Sequence, residues 1–434
     1  MKNSPSISFY TFGCRLNQSE TAVIERSFGN KGYRVVDVND PADIVVINTC
    51  TVTENGDADA RRFVNKISNA NPSVKIALVG CQAQIQKEKL AALPNVRWII
   101  GNAKKMDLLS IIEESEHQIN SAVQVITPTI PKESFTIPHA AIDKKHTRAT
   151  IKIQDGCDFF CSFCEIPYAR GRARSRDFHD IINEAQTLAG NNFKEIILTG
   201  INIGTYDQPG KSFMDVIDAL EQIDGIERIR ISSIEPTTIP KKLIEKMSRK
   251  TKLCRYLHIP LQSANDNVLS AMKRKYTFKE YEEFIHTAHR MIPQLSIGTD
   301  IIVGFPTEEE KHFEETFNRL NDLPIHYIHV FSYSDRHLAK SRVMRDKKSG
   351  KIIADRSKRL RDLSFRKRQL FNRTLLSTQQ KVLFEKRKTA VWEGFTDNYV
   401  RVSVDSNKHL ENTIRDVSLV SLNKEHIIGK LIKK

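Results

Sequence analysis

The chain has 434 residues, 40% hydrophobic and 27% charged, the proportions of a globular protein long enough for two or three domains. Its 67 Lys and Arg against 52 Asp and Glu leave a net charge of +15; such a surplus concerns partners rather than fold, and fits either a nucleic-acid ligand or a merely basic protein. Residues 1–10 are polar, and no apolar run reaches the ~18 residues that span a bilayer, which predicts a cytoplasmic protein with no membrane partner and reduced thiols.

Strand and helix alternate through the first stretch. Residues 6–12, 42–48, 75–80 and 96–101 read as strands, several of them the short apolar runs of a buried parallel sheet. Residues 17–30, 57–70 and a stretch ending near 93 read as helices, the second stopped by Asn71 and Pro72. The expectation is an α/β domain with a parallel sheet over 1–115. Residues 116–147 carry Pro128, Pro131 and Pro138 without a clear period and read as a linker.

A second strand–helix series occupies 148–375, with strands at 149–153, 195–199, 228–232, 256–260, 296–303 and 326–331. Phe178, Ile181, Ile182, Ala185 and Leu188 share one helical face behind an Asp177 N-cap. Six such units predict a full or partial βα barrel with its chemistry at the carboxyl ends of the strands. Residues 340–381 are strongly basic, with a helix at 355–375. The tail, 376–434, breaks into short strands at 381–385, 390–394, 399–404, 417–422 and 427–432, a small all-β barrel of a kind that binds nucleic acid.

Seven cysteines in a reducing compartment argue for metal or catalysis rather than a disulfide framework. The run Cys157-Asp-Phe-Phe-Cys161-Ser-Phe-Cys164 follows a strand and the turn residues Asp155 and Gly156. Three thiolates on one loop can hold three irons of a four-iron cluster and leave the fourth open. An open iron can bind the amino and carboxylate groups of S-adenosylmethionine (SAM) and pass one electron to its sulfonium, leaving a 5′-deoxyadenosyl radical. The alternative, a structural zinc loop, normally takes four ligands. Cys14, Cys50 and Cys81 each follow a strand of the first domain. Consecutive strand ends of a parallel sheet share an edge, so these three can converge as a second three-thiolate set, although each alone could be a buried core thiol. Cys254 has no partner nearby in sequence and reads as structural.

These residues resemble the methylthiotransferase family of radical SAM enzymes. Thr11-Phe-Gly-Cys14-Arg-Leu-Asn, Asn48-Thr-Cys50-Thr-Val-Thr and Gly80-Cys81-Gln-Ala-Gln match its N-terminal domain, and the three-cysteine loop matches its radical SAM core. Similarity continues through Leu198-Thr-Gly-Ile-Asn202, Ile231-Ser-Ser-Ile-Glu235, His258-Ile-Pro-Leu-Gln-Ser263, Thr299-Asp-Ile-Ile-Val-Gly-Phe-Pro306 and His329-Val-Phe-Ser-Tyr-Ser334, and the tail is similar to a TRAM RNA-binding domain. The resemblance implies two [4Fe-4S] clusters, with Cys14, Cys50 and Cys81 on an auxiliary cluster and Cys157, Cys161 and Cys164 on the SAM-cleaving one. It implies transfer of a methylthio group to C2 of an adenine, with two SAM molecules used per product. Ala169-Arg-Gly171, Arg174-Ser-Arg-Asp177 and Gly394-Phe-Thr-Asp-Asn-Tyr399 look like the branch that acts on N6-threonylcarbamoyladenosine at position 37, beside the tRNA anticodon. Isopentenyladenosine in tRNA or a ribosomal protein is the alternative substrate, and a non-enzymatic, metal-containing RNA-binding protein the alternative class.

Within that reading, Phe163 packs near the adenine of SAM or simply in the core. Thr199 and Gly200 offer backbone groups to the methionine end. Glu235 accepts from ribose or amino groups unless it is a surface carboxylate, and Gln262, Ser263 and Asp300 are further candidates. The expected partners are the tRNA anticodon stem-loop, an electron donor of flavodoxin or ferredoxin type, and a sulfur source. Trp392, Phe395 and Tyr399 either stack on bases or, as is commoner in so small a barrel, form its core. Two departures from the family bear on the substrate side: Ala264 stands where Gly is usual, and Asp335-Arg-His-Leu-Ala-Lys340 lacks a Gly-Thr pair.

Overall fold

The computed structural model describes residues 4–51, 53–116, 122–138, 146–388 and 391–432. The first domain is a six-stranded, wholly parallel sheet. Its spatial order is Arg34–Val35, Ser6–Thr11, Ile44–Thr49, Lys75–Gly80, Val96–Ile100, Gln124–Ile126. Each inner strand buries side chains on both faces, as its unbroken apolar run requires: Ile44, Val46, Ala77 and Val79 pack on one side, Val45, Ile47, Ile76 and Leu78 on the other.

Two parallel triplets form the core. One holds Arg148–Lys152, Glu195–Thr199 and Arg228–Ile231; the other holds Tyr256–His258, Ser296–Val303 and Tyr327–Ser332. Isolated parallel bridges from Ile229 to Leu253 and Ser233 to His258 join them into one six-strand arc. Among the described residues the outer strands, Arg148–Lys152 and Tyr327–Ser332, do not pair, so the barrel is partial. The helix Arg15–Asn30 of the first domain packs against Arg148–Lys152 at that open side.

The helix Gly350–Thr374 lies along Tyr327–Ser332 and leads to a closed barrel of Gln379–Lys388, Val391–Thr396, Arg401–Asp405, His426–Leu431 and Ile414–Asn423. This barrel sits on the amino ends of the core strands. Arg228 donates to the carbonyls of Phe395 (3.0 Å) and Lys381 (2.7 Å), and Arg255 grips both carboxylate oxygens of Asp397 at 2.7 and 2.8 Å.

Three expectations shift. Gln124–Ile126, inside the segment read as a linker, adds the last strand of the first sheet; three residues are too few to show a period. The long helix begins at Gly350 rather than 355, because Ser349 accepts from the Ile352 amide as an N-cap within the basic run. Ala390, expected in a strand, lies outside the described residues, and the strand there begins at Val391.

Candidate active site

The 157–164 loop is built to hold a fixed shape. Gly156 has φ +73°, and a Cβ there would stand 2.0 Å from the Arg172 carbonyl oxygen; the chain passes so close because the Cys157 amide bonds to Gly171 O at 3.1 Å. Gln154, wholly buried at the preceding strand end, donates to the carbonyls of Asp155 (3.0 Å) and Gly156 (2.8 Å). Its Oε1 accepts from the amides of Ile201 and Asn202. Ser162 ties the other side of the loop, amide to Met272 O and hydroxyl to Ala271 O.

The three thiols of this loop share one enclosed space. Burial pushes Cys157 up to about 11 and raises Cys161 and Cys164, and neighbouring thiols add to the rise at Cys157 and Cys164. Left alone they stay protonated; a bound iron cluster is what makes thiolates of them. Arg274 donates to Cys161 Sγ at 3.2 Å and pairs with Glu235, whose side chain is 16% exposed. Glu235 is therefore no loose surface carboxylate: it orients a guanidinium on the Cys161 thiol.

Cys14, Cys50 and Cys81 also converge. Each stands just past a strand, and Gly13 (φ +94°) lies so close to Cys50 that a Cβ would be 2.6 Å from its sulfur. Cys14 stands at the rim of a crowded space, where burial raises its thiol, Arg170 opposes the rise and Cys81 adds to it. Asn17, three residues on, bonds to Phe12 O and Thr49 O, and Asn102 Nδ2 approaches Cys81 Sγ at 3.6 Å. Among the described residues no three such side chains cage a single ion. A four-iron cluster can take three thiolates and leave one iron open, whereas structural zinc normally takes four ligands, so two sets of three thiols suit clusters better than zinc.

Two polar clamps bind the domains around these sets. In one, Glu20 meets Lys105, Lys152 (2.7 Å) and Arg170 (3.0 Å), while Asp155 accepts from Lys152 (2.7 Å) and Arg170 (3.0 Å). In the other, Arg336 reaches Asp57 at 2.6 Å, Thr51 at 2.9 Å and Glu165 at 3.3 Å. Thr51 follows Cys50 and Glu165 follows Cys164, so this clamp joins the two cysteine loops directly.

Between them lies a cavity of about 180 Å³. Phe163, Cys164, Gln262 and Asp300 line it from the core, Thr51 and Thr53 from the first domain, and Phe331, Ser334 and Arg336 from the last core strand and its loop. Phe163 also packs with Val268, Met272 and Phe305, the core contact expected of it, while it borders the cavity. Asp300 pairs with His258 Nε2 at 3.0 Å.

The other candidates lie away from that cavity. Ser263 is fully buried, and its hydroxyl meets Thr316 Oγ1 (3.4 Å) and the Asn265 amide (3.3 Å), so it does not face the cavity. Ala264 is equally buried, its side chain in the core and its carbonyl taken by Arg319 at 2.6 Å. Thr199 is buried, and Gln154 Oε1 takes the amides of Ile201 and Asn202, the two donors that follow Gly200. Trp392 belongs to the small barrel's core, whereas Phe395 and Tyr399 stack on each other (centroids 4.9 Å) at its edge. Cys254 is buried in the core, with no described thiol bonded to it. Reading by motif missed Gln154, Arg274, Glu165 and Arg336. Polar residues closing an apolar strand, as in Lys152-Ile-Gln-Asp155, were the available signal for the first.

An arc of parallel strands with a three-cysteine loop after its first strand defines a radical SAM protein. The radical SAM superfamily model matches residues 151–320, and that of an uncharacterized family, UPF0004, matches 6–101. Among solved structures, the radical SAM methyltransferase TsrM of Kitasatospora setae shares the fold (TM-score 0.55, 13% identity, 76% of this chain and 73% of that one).

The chain belongs to the methylthiotransferase family, on the branch of the MtaB proteins. It is 35% identical over 410 residues to the threonylcarbamoyladenosine tRNA methylthiotransferase MtaB of Aquifex aeolicus, covering 94% of this chain and 99% of that one. It is 34% identical to the Bacillus subtilis protein of the same name (99% and 96%). A tRNA-2-methylthio-N(6)-dimethylallyladenosine synthase of Thermodesulfovibrio yellowstonii is also 34% identical (91% and 90%). Methylthiotransferases of this family use SAM and carry two [4Fe-4S] clusters. Among the described residues no helix is long and apolar enough to cross a membrane.

Proposed function

We propose that this chain is a tRNA methylthiotransferase that attaches a methylthio group to C2 of N6-threonylcarbamoyladenosine at position 37. The observation that carries it is a cavity bordered at once by the Cys164 loop and the loop that follows Cys50. Its lining is mixed: Gln262, Asp300 and Ser334 are polar, while Phe163, Ile166, Ile302 and Phe331 are apolar, and Arg336 is already held by Asp57 and Glu165. The threonylcarbamoyl substrate is supported by the likeness to MtaB proteins that carry it in their name.

Cys157, Cys161 and Cys164 hold the SAM-cleaving cluster, and Cys14, Cys50 and Cys81 the auxiliary one. When bound, these groups supply the electron, the radical and the sulfur. The chain's own residues position and enclose them. Arg274 steadies Cys161, Gln154 fixes the loop, Phe163, Gln262 and Asp300 line the space where SAM and the adenine meet, and the Arg336 clamp keeps the two cysteine sets in register. The first domain, closed by the strand Gln124–Ile126, carries the sulfur side, 148–375 the radical side and 376–434 the RNA grip. The partners are the anticodon stem-loop, a flavodoxin- or ferredoxin-type electron donor and a separate sulfur source, in the cytoplasm where tRNA is modified.

The test is nucleoside mass spectrometry of bulk tRNA from cells with and without the gene. Loss of 2-methylthio-threonylcarbamoyladenosine on deletion, restored by the wild-type chain, is expected. Loss of a different methylthio-adenosine instead would overturn the substrate, and no change in any tRNA nucleoside would overturn the class of substrate.

A further inference from the structure

A larger cavity, about 410 Å³, lies at the other end of the partial barrel, where its strands begin and the small barrel seats. Three parts of the chain meet there: Arg15 beside Cys14, Tyr327 and Arg368 from the core strand and long helix, and Phe395, Tyr399 and Arg401 from the small barrel. The catalytic reading uses none of these.

Its chemistry is specific. Three guanidiniums converge on the space with a single carboxylate, Glu425, which pairs with Arg368 at 3.0 Å. Arg15 donates to the Tyr399 hydroxyl at 2.5 Å, and Arg401 lies over the Phe395 ring at 5.4 Å. Phe395 and Tyr399 stack on each other with an interplanar angle of 21°, with Arg148 4.8 Å from the Phe395 ring and Arg230 4.6 Å from the Tyr399 ring, so the pair forms an aromatic platform whose faces are shared with cations. A planar base with an attached phosphate matches that pairing, stacking on the rings and neutralising the arginines.

One strand runs from this cavity to the first one. Tyr327, His329, Phe331 and Tyr333 follow one another along a single face of one strand and its end; Tyr327 and His329 line the large cavity, Phe331 and Tyr333 the small one. His329 and Phe331 are exposed between them. Four residues of strand separate Tyr327 from Phe331, about 13 Å at roughly 3.3 Å per residue. That is too far for one nucleoside to reach both cavities, and a run that one strand of RNA can follow.

We infer that the large cavity holds a second nucleotide of the same RNA loop whose adenosine enters the small cavity, its base on the Phe395–Tyr399 platform and its phosphate among Arg15, Arg368 and Arg401. The inference rests on the proposed RNA substrate. A free mononucleotide shares the chemistry, but the continuous strand face between the cavities favours RNA.

The experiment measures binding of the full-length protein, clusters loaded, to an unmodified anticodon stem-loop by fluorescence anisotropy across a salt series. The Arg368→Ala/Arg401→Ala variant is expected to bind about tenfold more weakly, with a log–log salt slope shallower by about 1.4, two phosphate contacts at ~0.7 each. Phe395→Leu, which keeps apolar volume at the seam, is expected to lose roughly fivefold or more with the slope unchanged. Thermal melting of both variants at the wild-type temperature separates these effects from misfolding. Wild-type affinity and slope in both variants overturn the inference while leaving the proposed function standing. Equilibrium dialysis with adenosine monophosphate forms the other arm: mononucleotide binding lost in the variants, with stem-loop binding untouched, assigns the cavity to a free nucleotide and overturns the RNA assignment. A wild-type protein that binds no stem-loop at all overturns both.

Discussion

Glu20 is 1% exposed and meets three cations. Burial alone would raise its pKa, but Arg170, Lys105 and Lys152 together hold the carboxyl well below the usual range. A carboxyl depressed in the folded state gives stability that is present above its unfolded pKa of ~4.3 and is lost only as pH falls through the lower folded value. Glu20→Gln strands buried cations, and a loss on the order of 3–5 kcal/mol is expected in chemical denaturation at pH 7. The wild type should keep the Glu20 contribution down to pH ~4.3, so the gap between the two proteins should hold until then. A gap that closes between pH 7 and 5 would refute this account. The cysteines divide differently. Cys157→Ala should abolish reductive SAM cleavage, read as 5′-deoxyadenosine. Cys50→Ala should retain cleavage and yield no methylthiolated nucleoside; product from that variant would remove the auxiliary role from Cys50.

Elements bind the loops and each other through few atoms. Gly156→Ala should lose the iron of one cluster, measured as iron per chain, because the added Cβ meets the Arg172 carbonyl rather than a yielding side chain. The long helix is anchored by Lys367, whose ammonium donates to the carbonyls of Asn321 and Leu323, both at 2.8 Å; burial brings it down to about 8. A lysine depressed in the folded state makes stability rise with pH between that value and its unfolded pKa of ~10.4, by on the order of 3 kcal/mol. Lys367→Met should flatten that rise in melts run from pH 8 to 10. The same scale shows what the sequence could tell. Apolar runs such as 42–48 and 75–80 declared their strands because burial on both faces leaves no room for polar residues. Arg34–Val35 and Gln124–Ile126 could not, since two or three edge residues take their conformation from the neighbour they pair with. At the site, the cysteines were legible from spacing. Arg274 and Arg336 were not, because each sits far along the chain from the cysteine loop it serves and acts through a contact that only folding creates.

At the scale of the molecule, the small barrel is seated on buried charge. Arg228 and Arg230 are 5% and 0% exposed and spend donors on the carbonyls of Lys381, Phe395, Thr396 and Asp397. Truncation after Leu375 should therefore lower the melting temperature of the remaining core or drive it to aggregate, because guanidiniums would lose their acceptors. A truncated chain that melts like the full one would show the seat to be dispensable. The Glu20 clamp has a consequence in time. Its last partner, Arg170, lies 150 residues further along the chain. At synthesis rates of ~5–20 residues per second, the helix that carries Glu20 leaves the ribosome roughly eight to thirty seconds before Arg170 does. Through that interval the opening domain has a carboxylate facing an unfinished interface, and the Cys14 rim is still uncovered. The second domain thus completes the first, and the order of translation sets the order in which the two cysteine sets can be enclosed.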